Sequence, residues 1–307
     1  MFRKIIPWLL ICLLPLAPAG AATPQVVASI KPIHSLVANV MQGTGEPSLL
    51  IPAGASPHTY SLKPSEVARL HDAELLVWIG PQAEQVLAPT ARSLETPRLL
   101  RLVDEPDLTT HAARKGGTWE RRQRHAPDTH HDHETLDSHI WLDPDNARVI
   151  VGAVARELAE LDPENAERYR QNAESTIARL DELDAELDRR LSAVRDRPYI
   201  VFHDAYQYFE KHYGLNGVGS IMVDPGHKPG IRRVIEMRDK LKELGAVCVF
   251  AEPQFEPKLV HTILEDTEAR AGTLDPLGAR LPAGPEAYFQ LLENLADSML
   301  TCMKPAE

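Results

Sequence analysis

Near its middle the 307-residue chain carries one uninterrupted apolar stripe that leaves little choice of architecture. Ala166, Tyr169, Ala173, Ile177, Leu180, Leu183, Leu187, Leu191 and Val194 follow one another at intervals of three or four. That period lines one face of an α-helix, and the residues between are densely charged, as on a solvated face. About 30 residues at 1.5 Å each give a rod about 45 Å long. A segment pairing two chains would carry purer a and d positions over more heptads. The stripe predicts instead a rigid helix, 163–195, joining whatever lies on either side.

Both sides read as alternating strands and helices. Before the rod, strand-like runs are Val26–Ile30, Ser48–Ile51, Leu75–Ile79 and Leu99–Val103, with helices over Ile33–Met41, Pro64–His71 and Pro81–Ser93. A further helix runs from Pro144 to about Leu161. After the rod come strands Tyr199–Phe202, Gly217–Val223, Val247–Ala251 and Gly272–Leu274. Helices there are Ala205–Tyr213, Ile231–Leu244, Lys258–Arg270 and Tyr288–Met303. Such alternation makes βα units around a mainly parallel sheet. The expected class is α/β: two βα domains, 23–162 and 196–307, joined by the linker helix 163–195. Residues 107–137 break the pattern; polar and without periodicity, they read as a mobile histidine-rich loop in the first domain.

The first 22 residues have the layout of a secretory signal peptide: Arg3 and Lys4, the apolar run Ile5–Leu16, then small residues with cleavage expected after Ala21 or Ala22. Cys12 follows Ile11, which does not suit lipid attachment, so a soluble exported protein is expected. Cleavage removes two positive charges and no acid, so the net charge of −11 becomes −13. An acidic chain is a poor match for nucleic acid, whose phosphates demand basic patches. Two cysteines remain, Cys248 and Cys302; an even count in an oxidising compartment invites a disulfide, the other reading being two buried thiols.

Thirteen histidines are the chemical signal. His125, His130, His131 and His133, with His111 nearby, fall in the loop, where neutral imidazoles suit zinc or copper but ordering a loop costs affinity. Other histidines stand alone. His58 follows a strand in PAGASPHTY, His139 opens HIWLDP, His203 ends the strand YIVFH, and Asp275 ends GTLD. Ligands of α/β sheets collect beyond the carboxyl ends of strands, and three imidazoles with one oxygen suit tetrahedral Zn²⁺. His34 reads as structural. His71, His212 and His261 read as surface or capping residues. His227 lies in the tight loop DPGHKPG.

The segments PAGASPHTYSLKPSE, DSHIWLDPDNA, VFHDAYQYF, DPGHKPG, FAEPQFEP and LDPLG resemble those of metal-specific solute-binding proteins of ABC importers, in particular the zinc-specific periplasmic members, the ZnuA group. The resemblance runs from Val26 to the C-terminal helix. It implies two βα domains joined by a long helix, a metal in the interdomain cleft, an auxiliary histidine loop beside it, a Cys248–Cys302 bridge, and delivery to a membrane permease driven by an ATPase; a monomer is expected. It implies zinc ligands at His58, His139 and His203. Some members have glutamate before the first histidine, where this chain has Pro57, so the expected fourth ligand is Asp275, with water the alternative. Three imidazoles favour zinc over the oxygen-seeking manganese of a sister class. A rigid linker further predicts modest domain movement on release. Competing readings are a manganese or iron carrier, a periplasmic zinc buffer, and a zinc hydrolase with Glu252 as base. The chain lacks HExxH, and no enzyme activity is expected.

Overall fold

The computed structural model describes residues 23–95, 97–115, 117, 119, 135–222, 230–255 and 258–304. The signal-peptide segment and His125, His130, His131, His133 and His227 lie outside these residues.

Four strands, β1 (Val26–Ala28), β2 (Ser48–Leu49), β3 (Leu75–Trp78) and β4 (Arg98–Arg101), form a parallel sheet in the order β2-β1-β3-β4. Helices α1 (Lys31–Val40), α2 (Pro64–Asp72) and α3 (Leu87–Ser93) alternate with them, and α4 (Pro144–Leu161) follows. Helix α5 (Ala166–Leu191) then runs to the second lobe, extended by single 3-10 turns at Pro163–Asn165 and Ser192–Val194. The second sheet contains β5 (Tyr199–His203), β6 (Gly217–Met222), β7 (Cys248–Ala251) and β8 (Arg270–Thr273), again parallel, in the order β6-β5-β7-β8. Its helices are α6 (Gln207–Tyr213), α7 (Ile231–Leu244), α8 (Lys258–Leu264) and α9 (Ala287–Met303). The α/β class and the linker helix match the sequence reading.

Two helices are shorter than their patterns predict. Residues 81–86 form turns rather than the start of α3, because Glu84 folds back to accept the backbone N–H groups of Ile79 and Gly80. Helix α8 ends at Leu264, before Asp266 adopts a left-handed φ of 60°, a conformation that cannot continue a right-handed helix.

Helix α5 buries Tyr169, Ala173, Leu180, Leu183, Leu187 and Leu191, the predicted stripe; each buried leucine stabilises the packing by about 1.5–3 kcal/mol. Along β5 the side chains alternate between faces. Tyr199 and Val201 join a core that also takes in the first lobe, α5, α6 and α9. Ile200 and Phe202 face a separate core under α7 and α8. The Cys248–Cys302 disulfide ties β7 to α9; closing a loop of that length stabilises the fold by about 4 kcal/mol on the chain-entropy model. Among the described residues no helix is long and apolar enough to cross a membrane.

The expectation of a mobile loop over all of 107–137 does not hold at its base. Ala112 bridges Leu136 in antiparallel fashion, and Trp119 N and Ser220 N bond to Val218 O and Gly117 O, pinning the segment along β6. Arg114, under which the Trp119 ring lies at 3.5 Å, is ion-paired to Asp204 and to Glu210. Glu210 in turn rests on Gly217, where a Cβ would collide with its Oε1, so glycine suits the position beneath that carboxylate. Composition hid this anchor because its partners are distant in sequence.

Candidate metal centre

His203 is the last residue of β5 and is buried. His139 immediately precedes a 3-10 turn, Ile140–Leu142, which leads into α4; Asp143 caps that helix by accepting from Asp145 N. The turn is fixed across the cleft, since Trp141 Nε1 donates to Pro276 O and Tyr288 Oη donates to Trp141 O. His58 comes from the loop between β2 and α2. The far end of that loop is tied where Glu66 accepts from Lys63 N and, at 2.6 Å, from Tyr60 Oη.

These three segments bring the imidazoles together. His139 Nε2 lies 3.4 Å from His58 Nε2 and 3.3 Å from His203 Nε2. The other nitrogens of two rings are spoken for: His139 Nδ1 is 2.8 Å from Asp137 Oδ1, and His203 Nδ1 is 2.7 Å from Glu252 Oε1. A carboxylate only accepts, so each Nδ1 carries the proton and each Nε2 presents a lone pair. Lone pairs held this close repel unless a cation or a proton sits between them. Nitrogens at about 2.0–2.1 Å from a tetrahedral zinc ion stand about 3.3–3.4 Å apart, which is the spacing found.

The electrostatics fit the same picture. Burial, reinforced by the neighbouring His203 and Arg114, holds His139 well below the usual imidazole range and therefore neutral. Burial also lowers His203, but the charge and hydrogen bond of Glu252 outweigh it and leave its affinity for a proton raised. Asp137 is pushed up to about 6 by burial, opposed by the His139 backbone N–H. Asp137 and Glu252 together supply two negative charges, matching a divalent ion. Carboxylates on the outer nitrogen of a ligating imidazole fix the ring and raise its basicity.

Among the described residues, ligand atoms of His58, His139 and His203 lie within 4.8 Å of one another, and Asp275 is not with them. Its oxygens accept instead from Leu277 N, Ala279 N and Gln254 Nε2. His111, half-buried, stacks against Tyr208 with centroids 4.8 Å apart. His34 is structural, its Nε2 3.0 Å from Pro47 O. His212 departs from its expected surface role: Asp143 lies 3.1 Å from its Nδ1 and Asp184 2.8 Å from its Nε2. Despite partial burial, those carboxylates push its pKa up to about 10. Sequence reasoning passed over Asp137 and cast Glu252 only as a base. Asp137 stands two residues before His139, and Glu252 follows β7, the strand beside β5.

Two parallel-sheet lobes, one connecting helix, and a cleft holding three imidazoles at metal-ligand spacing define a class: the two-lobed metal-binding protein. A family model described as "ZnuA: Zinc-uptake complex component A periplasmic" matches residues 26–302, and the chain belongs to this family. It is 43% identical to the high-affinity zinc uptake system protein ZnuA of Brucella abortus (strain 2308), covering 91% of each chain. It is 35% identical to the Yersinia pestis protein of the same name, covering 94% of this chain and 93% of that one. A solved structure described as "Crystal structure of ZnuA" superposes with a TM-score of 0.77 at 27% identity, covering 92% of this chain and all of the other.

Proposed function

We propose that this chain captures Zn²⁺ in the periplasm and hands it, as a monomer, to the membrane permease of an ABC importer. Zinc is its cargo, and the chain is a carrier with no catalytic role. The observation that carries the reading is the convergence of the Nε2 atoms at 3.3 and 3.4 Å, with two Nδ1 atoms tethered to buried carboxylates. His58, His139 and His203 are the protein ligands. Because the Asp275 oxygens are engaged by backbone N–H groups, the fourth ligand is water. An all-imidazole protein set favours zinc over manganese. Membership of the zinc-uptake family supports both the cargo and the compartment. The histidines 111–133 serve as an auxiliary, looser zinc store. The lobes are 23–162 and 196–307, with 163–195 as spine.

Release with little domain movement is supported by bonds that cross the cleft. Lys31 Nζ donates to the carbonyls of Gly278 and Leu281, at 2.5 and 2.7 Å, and Asn39 Nδ2 donates to Pro285 O. Calorimetry on the mature chain should show one tight zinc site that vanishes in the His58, His139 and His203 triple alanine variant. Survival of the tight site in that variant would defeat the assignment.

A further inference from the structure

Gln254 follows β7 and lines the same small cavity as the three histidines, together with the apolar Pro57, Trp141, Phe255, Pro276 and Leu277. Its Nε2 donates to Asp275 Oδ1 at 3.0 Å, and Asp275 does not line the cavity. The orientation is set by chemistry, because the carboxylate can be met only by the NH₂ end of the carboxamide. The Oε1 end is buried and finds no hydrogen-bond donor among the described residues. A buried amide oxygen left without a donor costs roughly what a lost hydrogen bond would. The cavity volume is about 10 Å³, close to the least space that holds one water.

We propose that Gln254 is a positioning residue for the cargo: its Oε1 accepts a hydrogen bond from the single water that completes the coordination of the bound ion. The inference rests on the three-histidine zinc site proposed above. It gives the site a selectivity. An acceptor oxygen beside the exogenous ligand, as proposed, welcomes water, which has a proton to give, and repels chloride, which has none. A pocket with room for one such ligand also disfavours ions that demand several retained waters, as magnesium does.

The test uses Co²⁺ in place of zinc on the mature protein, because the intensity of its visible absorption reports coordination number and responds when the exogenous ligand changes. Wild type should give an intense four-coordinate spectrum that chloride leaves unmoved. Gln254→Met keeps the length and volume of the side chain without the acceptor. It should bind zinc about ten-fold more weakly, the lower end of the loss expected when an outer-shell partner goes, and its cobalt spectrum should shift on adding chloride. Gln254→Glu retains an acceptor oxygen and should resist chloride as wild type does. Circular dichroism checks folding; if the methionine variant fails to fold, the wild-type titration decides alone, and a spectrum readily shifted by chloride overturns the proposal. Zinc affinity and chloride response unchanged in a folded Gln254→Met overturn it equally. A wild-type cobalt spectrum that is not four-coordinate, or that survives loss of the three histidines, instead removes the zinc site on which it rests.

Discussion

The two sheets share one strand order, yet they treat the same crevice in opposite ways. In each, the chain passes from the first strand to one neighbour and then crosses to the other side, so a crevice opens where the order reverses, beyond the strand ends. In the first lobe that crevice lies between β1 and β3, and the protein fills it. Glu84, with no exposed surface, accepts from Ile79 N at 3.0 Å and Gly80 N at 3.1 Å, beside Ser29. In the second lobe it lies between β5 and β7, and there His203 and Glu252 stand side by side, lining the three-histidine cavity. One lobe seals its crevice with a carboxyl group and lends the site two loops. The other keeps its crevice for an imidazole and the carboxylate that orients it.

Removing ligands should produce the largest effect. Structural zinc sites are worth about 10–16 kcal/mol, or about 2.5–4 for each of four ligands, so His139→Ala and His203→Ala should each weaken zinc by about 100-fold or more. Competition with a chromogenic chelator measures this, and an equal loss from changing Glu84 would erase the distinction between the lobes. The sealed crevice should act on stability alone. Burial pushes Glu84 up to about 7 from 4.5, so the folded state holds a proton that the unfolded chain has released. Its contribution is full below pH 4.5 and is lost as pH rises through 7, by about 3 kcal/mol in total. Urea denaturation of Glu84→Gln should lack that slope while zinc affinity stays at the wild-type value.

The open crevice should respond the other way. Glu252→Gln loses the charge that orients His203 and should cost about 10- to 100-fold in zinc affinity, with urea midpoints little changed; calorimetry beside denaturation separates the two. The smallest effect is expected where α6 of the second lobe meets α4 and α5. His212, raised to about 10 between Asp143 and Asp184, contributes stability that is full below pH 6.5 and lost as pH rises through 10. Allowing for solvent screening of a partly exposed pair, His212→Gln should cost about 1 kcal/mol at pH 7. Thermal melts from pH 7 to 10 should decline in wild type and stay flatter in the variant.

Much of the site could be read along the chain because strand ends are local features. His203 closes a β-branched and aromatic run, and His58 follows a short strand, so both stood out. Partnerships across strands were hidden: Glu252 meets His203 only through the pairing of β5 with β7. Asp275 lies two residues beyond the end of β8. Sequence could not reveal that its oxygens cap the turn at Leu277 and Ala279, a habit of aspartate in turns. The amphipathic spine was legible throughout, since 3.6-residue periodicity survives over many turns. The base of the histidine loop was not, because Arg114 finds Asp204 and Glu210 about 90 residues away.

In the proposed site, zinc is held by three imidazoles contributed by both lobes. Anomalous diffraction from crystals of the zinc-loaded mature protein, collected on both sides of the zinc edge, tests it directly. One strong peak is expected about 2.0–2.1 Å from Nε2 of His58, His139 and His203, with a water oxygen completing the tetrahedron. A principal peak away from these three nitrogens, or one coordinated by Asp275 in place of water, would contradict it.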